Sequence, residues 1–123
     1  MLKQFKNTVT TVSSLVMVLV LQTAFVSSSV ADETVIERGK KAAFDRKAGN
    51  CLSCHLIEDG EAPGNIGPPL VAMKARFPDK EKLRDLVWDI TASRPEAMMP
   101  PFGKHKIISE QDIDDIVEYL YTL

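Results

Sequence analysis

Apolar positions recur at helical spacing in two stretches of the chain and more thinly in a third, and nowhere alternate for long enough to form a strand. Leu83, Leu86, Val87 and Ile90 draw one stripe along a helix that starts near Asp79, just after Pro78. Ile113, Ile116, Val117 and Leu120 repeat the same offsets in a helix opened by Ser109 with Asp112 three residues on, and this helix runs almost to the carboxyl end. A third helix begins at Thr34, whose spacing to Glu37 is that of a capping box, and passes Ile36, Gly39, Ala43 and Phe44 to about Lys47. Its apolar face is narrow, and Gly39 leaves room for another helix to cross closely. The stretches 59–69 and 95–103 are rich in Gly and Pro and predict irregular backbone. The expected class is therefore all-α, three main helices with long ordered loops, and loops of that length in so short a chain need something to pack against.

The amino-terminal stretch has a different pattern. Lys3 and Lys6 precede an apolar run densest from Leu15 to Leu21, and Ser29 and Ala31 fit the small-residue positions of a cleavage site. Residues 1–31 read as a secretory signal; the alternative is an uncleaved membrane anchor, which Gln22, Thr23 and the serines weaken. Residues 32–123 then form one small domain. A core of that size is marginal unless a disulfide, a metal or another bound group adds to it.

Charge narrows the partners rather than the fold. Residues 32–123 hold 13 Lys and Arg against 17 Asp and Glu, and no basic run interleaves with aromatics, so nucleic-acid binding has no support.

The two cysteines carry the chemistry. Cys51-Leu52-Ser53-Cys54-His55 has the spacing of c-type haem attachment: two sulfurs three positions apart on a helical turn face one way and can form thioethers to the two vinyl groups of one haem edge. The next residue, His55, then lies under the ring as an iron ligand. Three other readings compete. A redox dithiol needs a βαβ setting, a zinc site needs more ligands than His105 can add, and a disulfide between such close neighbours closes too short a loop to stabilise much. Export agrees with haem attachment, which takes place outside the cytoplasmic membrane, and the expected location is the periplasm with no membrane association after cleavage.

A second iron ligand is sought in Met98-Met99-Pro100-Pro101-Phe102. Pro100 disfavours helix for the residue before it, so Met99 should project from an extended loop, and it is the chosen ligand. Met98 reads as gap filling, His105 as a rival ligand on an exposed turn, and Met73 as core. A thioether raises the potential relative to a second imidazole and closes the iron to substrates, which points to electron transfer. Trp88 falls off its helix's stripe and reads as an interface residue, a propionate neighbour or peripheral packing.

Taken together, Gly49-Asn50-Cys51-Leu52-Ser53-Cys54-His55, Pro63-Gly64-Asn65-Ile66-Gly67-Pro68-Pro69-Leu70, Arg76-Phe77-Pro78-Asp79 and Met99-Pro100-Pro101-Phe102-Gly103 resemble the SoxX family, the small monohaem subunits of SoxAX cytochromes of bacterial sulfur oxidation. The resemblance spans essentially all of the chain after the signal. It implies a class I cytochrome c fold around one covalent haem c, with first and last helices crossing near Gly39 and Tyr119-Leu120. It also implies that the Pro68 carbonyl accepts the His55 imidazole N–H. The implied partners are a SoxA-like subunit, through it a SoxYZ-like carrier protein, and a downstream cytochrome c acceptor. The implied activity is that of an L-cysteine S-thiosulfotransferase whose catalytic thiolate sits on the partner, since the only cysteines here are the motif pair. A freely diffusing cytochrome c of a respiratory chain and an open-iron enzyme or sensor remain the alternatives.

Overall fold

The computed structural model describes residues 33–123, and the expected signal segment, 1–31, lies outside them. Among the described residues the α-helices are α1 (Val35–Phe44), α2 (Met73–Arg76), α3 (Lys80–Asp89) and α4 (Glu110–Leu120), with 3₁₀ turns at Cys51–Ser53 and Ile90–Ala92 and no strand. No helix among them is long and apolar enough to cross a membrane.

The helix starts follow from local chemistry. In α1 the Glu37 N–H donates to Thr34 Oγ1 (3.2 Å) while the Glu37 carboxylate accepts the Thr34 N–H (2.9 Å), so two otherwise orphaned amides are satisfied reciprocally. Ser109 and Asp112 do the same for α4, and the Asp79 carboxylate accepts the Glu81 N–H at the start of α3 (3.1 Å). Helix α1 stops at Phe44, earlier than its sequence spacing predicts. The cause is tertiary: the chain doubles back after Asp45, the Gly49 N–H donates to the Ala42 carbonyl (3.0 Å), and that return delivers Cys51 against the end of α1.

Helices α1 and α4 cross at Gly39. A Cβ there would stand 1.9 Å from the Asp115 carbonyl oxygen and 3.0 Å from Tyr119 Cβ, so only hydrogen permits the approach. Arg38 braces the crossing, its Nε 2.8 Å from Asp115 Oδ2, and Gln111 Nε2 donates to the other carboxylate oxygen (2.8 Å). Asp115 is 4% exposed, and the Arg38 guanidinium holds its carboxyl below the usual carboxylate range against the opposing effect of burial. Phe44 meets Tyr119 edge-on, with ring centroids 6.0 Å apart.

The predicted stripes form the core. Leu83, Val87 and Ile90 are buried from α3 and the turn after it, and Ile113, Ile116, Val117 and Leu120 from α4, while Leu86 is half-buried. Met73, 2% exposed, joins them as expected of a core methionine. The short α2 was not predicted: its cap, Ala72, is left-handed and offers no side-chain bond, and four residues carry no readable periodicity. Tertiary contacts hold it, the Met73 N–H donating to the Leu123 carbonyl (2.9 Å) and the nearby Tyr121 hydroxyl donating to the Phe77 carbonyl (2.5 Å). Among the described residues positive φ occurs at Asn50, Ala62, Ala72 and Lys106 and at none of the six glycines.

Candidate functional site

The Cys51–His55 turn is a 3₁₀ turn widened by one α-type bond. It starts from left-handed Asn50, whose carbonyl accepts both the Ser53 N–H (3.1 Å) and the Ser53 hydroxyl (2.8 Å). The Cys51 carbonyl then accepts the N–H groups of Cys54 (3.2 Å) and His55 (2.9 Å), which closes the turn that carries the two thiols and the imidazole. No disulfide joins the two cysteines, and burial pushes the Cys51 thiol up to about 11.

A second strand of chain is laced along this turn. The N–H groups of Gly64, Gly67 and Leu70 donate to the carbonyls of Leu52 (2.8 Å), Cys54 (2.8 Å) and Leu56 (2.9 Å). Two glycines make the contact possible, since a Cβ at Gly64 would lie 1.9 Å from the Ser53 carbonyl oxygen and one at Gly67 would lie 2.4 Å from His55 Cε1. The lacing brings the Pro68 carbonyl oxygen to 2.7 Å from His55 Nδ1. A carbonyl can only accept, so Nδ1 carries the proton, and Nε2 is the nitrogen whose lone pair the neutral imidazole can offer to a metal. Among the described residues Nε2 has no hydrogen-bond partner.

Met99 stands on a separate segment, half-buried and packed against the core cluster. Met98 fills no gap, contrary to the expectation from sequence: it is 79% exposed, because of the two neighbours only Met99 packs onto the core. His105 lies exposed in a turn between Lys104 and Lys106. Trp88 is half-buried against the core, with Gly103 beside its ring and Arg84 5.3 Å over it, so of its readings the structure supports peripheral packing. Sequence reasoning did not find the Trp88–Gly103 contact, which depends on a close approach that no periodicity encodes.

The residues present suit a haem. Two thiols and an imidazole with a free Nε2 occupy one turn, and a thioether is offered from another loop. Leu56, Ile66 and Val71, in the segments flanking His55, are 44% exposed or more, apolar surface that a bound porphyrin would have beside it. The buried Tyr119 hydroxyl, whose surroundings include Cys51, has no hydrogen-bond partner among the described residues.

Comparison with known proteins agrees with this chemistry. The cytochrome c family profile matches residues 36–123. The crystal structure of SoxXA from P. pantotrophus is similar at a TM-score of 0.63 and 28% identity, covering 70% of this chain and 79% of that one. A protein of Aquifex aeolicus (strain VF5) described as an uncharacterized lipoprotein is 33% identical over 84 residues, 68% of this chain; the chain spans 40% of that relative's length.

Proposed function

Because this chain belongs to the cytochrome c family, with an all-α class I fold of SoxX type, we propose that it is the electron-transfer subunit of a periplasmic SoxAX-type complex. In this reading residues 1–31 are removed on export and one haem c is held covalently by Cys51 and Cys54. His55 and Met99 are the iron ligands. When bound, the haem supplies a one-electron redox site.

The chain's own residues prepare that site. The Pro68 carbonyl orients the His55 ring and makes Nε2 a stronger donor. Met99 contributes a neutral thioether, which favours the reduced state relative to a second imidazole and leaves no open position for substrate. The catalytic thiolate belongs to a SoxA-like partner, which joins thiosulfate to a cysteine of a SoxYZ-like carrier. Two electrons leave in that step, and this subunit helps pass them to a downstream cytochrome c.

The observation that carries the reading is the Cys51–His55 turn with one imidazole nitrogen committed to Pro68 and the other free. The likeness to SoxXA supports the choice of complex. The test is mass and spectroscopy on the exported protein: a mass above that of the polypeptide by one haem is expected, and a colourless product of bare polypeptide mass refutes it. Met99→His should keep a six-coordinate iron and lower the potential; an unchanged potential and spectrum refute the ligand assignment. Co-expression with a SoxA-like chain should yield a stable complex, whereas a fully active monomeric shuttle favours a freely diffusing cytochrome.

A further inference from the structure

The segment that carries Met99 leaves the end of α3 and returns to the same two residues. On its return the N–H groups of Gly103 (3.1 Å) and Lys104 (3.2 Å) both donate to the Trp88 carbonyl, and Lys104 Nζ lies 2.7 Å from Asp89 Oδ2. That carbonyl is one of those a helix end leaves without an internal partner. Gly103 is pressed so tightly on the indole that a Cβ there would stand 2.1 Å from Trp88 Cε3. The Asp89 carboxylate also accepts the Thr91 N–H (3.1 Å) and the Thr91 hydroxyl, which fixes it at the point where the excursion departs.

Between these anchors the backbone is held from both sides but not in the middle. Ser93 and Arg94 donate to the Ile90 carbonyl and Ala97 to that of Arg94; on the far side the carbonyls of Pro101 and Phe102 accept from His105 and Ile107. Among the described residues, Met98, Met99 and Pro100 make no backbone hydrogen bond. The place of the Met99 thioether is thus set by its own packing on the core, by the burial of Phe102 nearby and by where the segment is tied down.

We propose that Asp89 and Lys104 are positioning residues for Met99, forming with the Trp88 carbonyl a latch that holds the thioether in its ligating place. This rests on the reading of Met99 as an iron ligand. Opening the latch lengthens the free segment and lets the thioether leave more often, so an external ligand competes better for the same position.

The experiment measures binding of imidazole to the ferric holoprotein, read by loss of the thioether-to-iron charge-transfer absorption. The pair is half-sheltered, with the side chains 15% exposed at Asp89 and 52% at Lys104. Asp89→Asn or Lys104→Met should each raise imidazole affinity about two- to fivefold. The double variant should exceed neither single, and Lys104→Arg should stay close to the parent. Added salt should raise imidazole affinity in the parent and not in Lys104→Met. Single variants that bind imidazole like the parent, or a double variant in which both effects multiply in full, overturn the latch. Met99→Ala, which lacks that absorption and is followed instead by the shift of the main haem band, separates the two ideas: if it binds imidazole no better than the parent, the ligand reading itself fails. If it binds better while Asp89→Asn and Lys104→Met do not, only the latch fails.

Discussion

Substituting Gly39 by Ala tests the helix crossing by the sign of its effect. In an open helix interior the change stabilises by about 1 kcal/mol, because alanine loses less backbone freedom than glycine on folding. Here the added Cβ would start 1.9 Å from the Asp115 carbonyl oxygen and 2.5 Å from its carbon, both rigid backbone atoms of α4. Carbon and carbonyl oxygen rest at about 3.3–3.6 Å, so the helices must separate by more than an ångström. That separation strains the Arg38–Asp115 bridge and loosens Tyr119 against Phe44. Overpacking of this kind costs about 3 kcal/mol at the upper end of its usual range, and the propensity gain of about 1 leaves a net loss of about 2 kcal/mol. For a domain of this size the melting temperature should fall by about 8–16 °C, measured by far-ultraviolet circular dichroism on the holoprotein. A variant that melts at or above the parent's temperature would show that α1 and α4 do not meet here.

Two other substitutions have comparably definite outcomes. Arg38→Met leaves the Asp115 carboxylate buried with Gln111 as its remaining named donor and should destabilise by about 1–3 kcal/mol at neutral pH. Since Arg38 lowers the folded-state pKa of Asp115, its contribution is complete above about pH 4 and disappears as pH falls through the lower folded value, so denaturant curves of parent and variant should converge in acid. A difference that persists undiminished in acid would argue against the ion pair as its source. Gly67→Ala drives a methyl group to within 2.4–2.5 Å of His55 Cε1 and Nδ1 and should break the bond to the Pro68 carbonyl. A weaker imidazole donor then raises the reduction potential in a voltammetric titration, and an unmoved potential would separate Pro68 from any tuning role.

Where chemistry is local, the chain could be read directly. The capping boxes at Thr34 and Ser109, the cap at Asp79 and the two apolar stripes are each written within a turn or two, and all form as expected. The turn at Cys51–His55 likewise depends on near neighbours. Early termination of α1, the existence of α2 and the fate of Met98 depend on contacts that no cap or periodicity encodes: Gly49 with Ala42, Met73 with Leu123, Met99 with the core. Pro68 stands between these cases. Nothing in its spacing from His55 specifies a hydrogen bond, and only family resemblance pointed to it. Trp88 was ambiguous because its surroundings are completed by Gly103, a residue whose value is the absence of a side chain.

The backbone assigns its two kinds of special position to different residues. All six glycines keep negative φ, whereas Asn50, Ala62, Ala72 and Lys106 take the left-handed region that disfavours a side chain. Thermostabilising mutagenesis should therefore follow an inverted rule in this molecule. Replacing glycines, the usual first move, meets neighbouring atoms at every site, whereas Ala72→Gly removes about 1 kcal/mol of local strain. Glycine's greater freedom in the unfolded chain offsets part of that gain. A chemical-denaturation midpoint that does not fall in Ala72→Gly, beside one that drops in Gly64→Ala, would establish which positions evolution has left open to improvement.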